Sequence, residues 1–212
     1  MPNATRVWGQ FGSFTCRAKN NDGACNDLGP TAARSLFNPI GIATGANRRL
    51  FVSDWNNNRV VWYDDYLLGD DVADGVIGQP NLQSGGCGGP SATTLCQPID
   101  VAVGAGRVIV TDAGNNRVLA FPTANPAAAT TVFGQLGSFA GSDVNHGLGF
   151  NQTDANGLFG PTGVAVDSNR HVYVADTLNN RVLRFEVPFV RPVGQGGSGG
   201  GVQPSAAYPV NP

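Results

Sequence analysis

The pattern Asp-x-x-Asn-Asn-Arg occurs three times with identical internal spacing, at Asp54 to Arg59, Asp112 to Arg117 and Asp176 to Arg181. Each copy sits between two apolar runs. A chain that repeats one polar turn between the same two runs is built from stacked copies of one small unit, because such a unit cannot bury its apolar face alone.

Superposing the copies extends the period in both directions. Pro39-Ile40-Gly41-Ile42, Pro98-Ile99-Asp100-Val101 and Pro161-Thr162-Gly163-Val164 open the units. A second run follows at Leu50-Phe51-Val52-Ser53, Val108-Ile109-Val110-Thr111 and Val172-Tyr173-Val174-Ala175. After the turn comes a third, at Val60-Val61-Trp62-Tyr63, Val118-Leu119-Ala120-Phe121 and Val182-Leu183-Arg184-Phe185. Short runs rich in β-branched and aromatic residues, bounded by Gly, Asn and Pro, are β-strands, and no segment keeps a helical period. The chain is therefore read as all-β. A fourth strand is expected at each Gly-Gln pair that follows apolar residues: Val7-Trp8-Gly9-Gln10, Val76-Ile77-Gly78-Gln79, Val132-Phe133-Gly134-Gln135 and Val193-Gly194-Gln195. The first and third of these continue alike, as Phe11-Gly12-Ser13-Phe14 and Leu136-Gly137-Ser138-Phe139.

Pro-x-Gly-Val-Ala-Val-Asp, Val-Tyr-Val-Ala-Asp and Asn-x-Arg-Val-x-x-Phe resemble the NHL repeat, most closely in the third copy. The resemblance implies four-stranded blades of a β-propeller over residues 1–190, in units at 7–75, 76–131 and 132–195, followed by a Gly/Pro-rich tail or linker at 196–212. Two copies depart from the pattern. Asp100 replaces the Gly of Pro-x-Gly, and Thr44-Gly45 stand where the third copy has Val166-Asp167.

Three strands per copy and four Gly-Gln elements make three blades with one surplus strand. Propellers close with about four to eight blades, since an open end exposes a large apolar face. Three solutions follow. Further repeats of a longer protein complete the ring, two chains form a six-bladed ring, or the surplus strand and tail link subunits head to tail into a filament.

Charged residues make up 13% of the chain and the net charge is -2, with Arg48-Arg49 the one adjacent basic pair, so nothing drives it toward nucleic acid or an anionic membrane. Its cysteines pair by position as Cys16 with Cys25 and Cys87 with Cys96, each pair spanning a loop, which reads as two loop-closing disulfides and an oxidising compartment. Two glycosylation sequons, at Asn3 and Asn151, point the same way. No apolar leader or transmembrane run is read, and the expectation is a mature or excerpted chain.

The repeated turns invite a catalytic reading, but a catalytic constellation needs one copy of each role whereas a scaffold needs the same turn in every blade. Asp54, Arg59, Asp112, Arg117, Asp176 and Arg181 are accordingly assigned to the turn itself, with Asp accepting backbone hydrogen bonds from the following turn and Asn57, Asn115 and Asn179 taking turn conformations. Acidic residues cluster from Asp64 to Asp74, and Asp154-Ala155-Asn156-Gly157 is oxygen-rich, yet neither has the alternation of a calcium loop. His146 reads as a loop residue. Trp8, Trp62 and Phe133 are expected in the core. Trp55 is different, standing in the polar turn where the other copies have Ala113 and Thr177, and is a candidate ligand anchor.

The resulting expectation is a non-catalytic extracellular or cell-surface module for binding or structural assembly, not an enzyme. It has a protein or glycan partner, self-associates up to a filament, and needs no cofactor, nucleic acid or membrane insertion. The alternative is a propeller enzyme of lactonase or lyase type with a metal such as calcium in the central channel.

Overall fold

Each apolar triplet folds into its own antiparallel sheet, because the Asp-x-x-Asn-Asn-Arg turn is short enough to return the chain on itself. The computed structural model describes residues 2–27 and 29–186. The first sheet holds β1 (Pro39–Thr44), β2 (Leu50–Asp54), β3 (Arg59–Tyr63) and β4 (Gly75–Ile77), hydrogen-bonded in that order. The second repeats it with β5 (Pro98–Gly104), β6 (Arg107–Asp112), β7 (Arg117–Pro122) and β8 (Thr131–Phe133). The third contains β9 (Pro161–Val166), β10 (His171–Asp176) and β11 (Arg181–Glu186) among the described residues. These are the three blades of an all-β propeller segment, each with a single 3-10 turn at the repeated motif.

Neighbouring blades meet along their first strands, β1 on β5 and β5 on β9. A Cβ at Gly41 would lie 2.7 Å from the Cα of Asp100, so glycine is what lets β1 and β5 approach. Asp100 departs from the repeat to good effect. Its carboxylate accepts the Val164 N–H at 3.0 Å and ties β5 to β9.

Two apolar clusters fill the spaces between blades. Phe51 and Val60 of the first sheet pack with Val101, Val108 and Val110 of the second. Ile109, Val118 and Phe133 of the second pack with Val172 and Val174 of the third. A third cluster covers the outer face of the first sheet, where Trp8 lies on Leu36, Val52 and Tyr63. Trp8, Trp62 and Phe133 all join these clusters.

The Gly-Gln elements correct the sequence reading in one respect. Strands β4 and β8 end just before the Gly-Gln pair, where Gly78 and Gly134 turn the chain at φ +87° and +95°. Residues 7–9 are not a strand, and Gln10 makes an isolated bridge with Ser35. The physical reason is pairing: β4 lies on β3 and β8 on β7, whereas no described blade precedes the first sheet to hold residues 7–9. The fourth Gly-Gln element at 193–195 and the tail at 196–212 lie outside the described residues.

Candidate functional site

The repeated turn is a closed hydrogen-bond network, and the blades are joined through it. Asp54 accepts the Phe37 N–H at 2.7 Å on one oxygen, and Asn57 Nδ2 at 2.8 Å and Arg59 Nε at 2.7 Å on the other. Asp112 does the same with Cys96 N, Asn115 and Arg117, and Asp176 with Phe159 N, Asn179 and Arg181. The backbone donor comes from the segment entering the first strand of the blade, not from the turn that follows the aspartate. Each carboxylate thus pins the entrance of its own blade to the turn between the second and third strands.

Both members of the Asp54–Arg59 and Asp112–Arg117 pairs are fully buried. Burial pushes the Asp54 and Asp112 carboxyls above the usual range, and the adjacent guanidinium acts against that push. Buried pairs of this kind fix geometry more than they add stability. The remaining arginine nitrogens satisfy loop carbonyls: Arg59 donates to Ala32 O and Ser35 O, and Arg117 to Ser91 O and Thr94 O.

The left-handed residue of each turn is the second asparagine of the motif, which follows Asn57, Asn115 and Asn179 in the 3-10 turn. Asn58, Asn116 and Asn180 have φ between 50 and 54°, while the first asparagines lie in the 3-10 turn and serve Asp. This second asparagine joins blades. Asn58 Oδ1 accepts the Gln97 N–H at 2.9 Å, and Asn116 Oδ1 accepts the Gly160 N–H at 2.9 Å. Its backbone carbonyl takes a side-chain amide, from Gln79 at 2.8 Å in one junction and Gln135 at 3.0 Å in the next.

Other sequence candidates do not converge on one place. Asp64, Asp65 and Asp71 are paired with Arg49, Arg48 and Arg34. His146 meets Asp154 at 3.0 Å, and that hydrogen bond, with the N–H groups of Asn156 and Gly157, lowers the Asp154 carboxyl. Trp55 is half-buried in its 3-10 turn. Asn3 and Asn151 are exposed. The hydroxyl of Thr153, from the second sequon, is engaged by Arg181 at 2.7 Å and by Asn145. Cys16 is bonded to Cys25 and Cys87 to Cys96. Among the described residues no helix is long and apolar enough to cross a membrane.

The open apolar ends that the sequence reading anticipated, without naming their residues, lie on the outer faces of the first and third sheets. On the outer face of the first sheet Ile42 is 70% exposed beside a cavity of 310 Å³ lined by Trp8, Leu36, Leu50 and Val52. On the outer face of the third sheet Val182 is 68% exposed. The signal was available, since residues in the same repeat positions are core residues elsewhere, but a pattern does not say which copy has a neighbour.

A family model for the NHL repeat matches residues 95–121 and 160–185. No curated protein matches the chain at a significant level. Similar solved structures include a streptogramin B lyase, 13% identical over 71% of this chain and 41% of its own, with a TM-score of 0.40. Virginiamycin B lyase from Staphylococcus aureus is 16% identical over 71% of this chain and 42% of its own, with a TM-score of 0.41. A luciferin-regenerating enzyme is 14% identical over 66% and 38%, with a TM-score of 0.41. The chain spans about two fifths of the length of these proteins. The expectation that the chain is not an enzyme is corrected: proteins named for catalysis are among the solved structures it is similar to.

Proposed function

We propose, from the premise that this chain is built of NHL-repeat β-propeller blades, that it serves as a binding and assembly module outside the cell or on its surface. The observation that carries this reading is the pair of open blade faces, which expose Ile42 at one end and Val182 at the other. Apolar surface of this kind on a repeat protein marks a place where another surface docks. The repeated polar side chains are meanwhile occupied in holding blades together. Two disulfides and two exposed sequons favour an oxidising, secretory route. The partner is a protein, further copies of the chain included, or a glycan for which the half-buried Trp55 offers a stacking face.

Light scattering and electron microscopy of the protein purified under non-reducing conditions, with a thiol titration of the same sample, test this reading. Assembled particles without titratable thiol are expected. Monomers that bind no protein or glycan ligand, with four reactive thiols, would remove it.

A further inference from the structure

Residues 10–20 repeat the fold of residues 135–145, although no blade precedes them among the described residues. Phe11 and Gly12 have φ of 52° and 75°, and Leu136 and Gly137 have 52° and 81°. Ser13 N–H donates to Gln10 O at 3.0 Å as Ser138 N–H does to Gln135 O at 2.9 Å. The Gln10 side chain reaches Ala18 O as Gln135 reaches Asp143 O. Even the asparagine pair recurs, Asn20 with Asn57 and Asn145 with Asn179.

Inside the chain, residues 135–160 form one wall of a blade junction. The opposite wall is the preceding blade: Asn116 O accepts from Gln135, Asn116 Oδ1 accepts from Gly160 N, and Arg117 donates to Phe139 O. In the first wall Gln10, Asn38 and Phe14 hold the positions of Gln135, Gly160 and Phe139. Asn38 shares the left-handed backbone of Gly160, with φ values of 53° and 53°, and Phe14 is 58% exposed. At the other end of the molecule Asn180 and Arg181 hold the positions of Asn116 and Arg117, and Asn180 has the same left-handed backbone.

The apolar surfaces match in the same way. Phe51 and Val60 fill the space over Val101, Val108 and Val110. The positions of Val101, Val108 and Val110 in the first sheet are Ile42, Leu50 and Val52, which face the 310 Å³ cavity. The positions of Phe51 and Val60 in the third sheet are Tyr173 and the exposed Val182. Strand register agrees as well, since Val60 lies opposite Ile77 and Val118 opposite Phe133, which would set Val182 opposite Trp8.

We infer that a second copy of this chain docks head to tail on these ends, with the third sheet of one copy against the first sheet of the other. This rests on the assembly reading above and names its surface. Val182 and Tyr173 enter the cavity, residues 6–8 add a fourth strand to β11, Asn180 Oδ1 takes the Asn38 N–H, and Arg181 donates to Phe14 O. A second copy satisfies both ends at once.

The test uses two variants of the full chain, Val182→Asp and Ile42→Asp, at exposed positions on opposite ends. Sedimentation velocity should show self-association of the wild type, weakened at least about 100-fold in either variant because a carboxylate would be buried without a partner. Circular dichroism melts of the variants should match the dilute wild type, which separates lost docking from lost folding. An equimolar mixture should regain one intact junction and sediment as a one-to-one pair. A wild type that stays monomeric overturns the inference. So does a mixture that stays monomeric. A wild type and variants that associate equally leave the assembly reading standing and remove this geometry.

Discussion

Val118 and Val182 occupy one position of the repeat, each directly after the motif arginine, yet the first is fully buried and the second is 68% exposed. Val101 and Ile42 make the same contrast at the opposite face, 3% against 70%. Burial in a stacked repeat is therefore a property of the neighbour and not of the residue. The stability of each blade divides accordingly into what its own hairpins supply and what its junctions supply. The second blade has both junctions, and the outer blades have one each among the described residues.

Removing the motif arginine should separate the two situations most widely. Arg117→Met leaves Asp112 buried without its counter-ion and should cost about 3–5 kcal/mol. Asp176 is as buried as Asp112, but the Arg181 side chain is 24% exposed and water can take over part of its role, so Arg181→Met should cost less, about 2 kcal/mol. Urea denaturation of both variants measures the difference. Equal costs would mean that the third blade encloses its arginine as fully as the second.

Truncating the matched valines asks the same question of the apolar surface. Val118→Ala should lose about 2 kcal/mol, and Val182→Ala less than about 0.5 kcal/mol in dilute protein. If both fall together, the open face is already covered.

Glycine gives the opposite control, because there the end of the chain and an internal junction are built alike. Gly9 and Gly134 have φ of +87° and +95°, and a Cβ on either would come within 2.6 Å of a leucine, Leu36 or Leu158. Gly9→Ala and Gly134→Ala should each cost about 1–3 kcal/mol, with similar shifts in urea midpoint. A negligible effect at Gly9 alone would show that the first wall is not held in place without a neighbour.

These contrasts also show which parts of the structure could be read from the chain. Strands β6, β7, β10 and β11 were legible because the alternation of Val108 to Val110 or Val172 to Val174 and the turn that follows lie within one repeat. So was the blade-like repetition. The junctions were not, because Asn58 meets the backbone of Gln97 in the next unit, and nothing local distinguishes the first asparagine of the motif from the second. The fourth strand was misplaced for a related reason. The Gly-Gln pair is the conspicuous part of that element, but Gly78 and Gly134 are needed where the strand has already ended and the chain presses on Leu95 and Leu158. An open end was expected to expose apolar surface, but Ile42 and Val182 could not be named for it, since their patterns are those of core residues.

The smallest expected effect belongs to a tie within one hairpin. Asp167 closes the β9–β10 hairpin, accepting the His171 backbone N–H at 2.8 Å and the Tyr173 hydroxyl at 3.1 Å, with His171 Nδ1 at 2.8 Å. The first copy has Gly45 here and lacks this carboxylate. These contacts, His171 foremost, hold the Asp167 carboxyl down to about 2, below its ordinary 3.8. A carboxyl lowered by folding contributes stability above its unfolded value and loses that contribution as the pH falls toward its folded value. Asp167→Asn should therefore melt slightly below the wild type near neutral pH, and the two melting curves should converge between about pH 4 and pH 2. Because the contacts lie within one hairpin, the gap should already be present in dilute protein, where that of Val182→Ala is small. A gap that persists at the lowest pH would mean that the side-chain amide disturbs the hairpin by shape and not by charge; a gap that grows with concentration would place Asp167 in an interface.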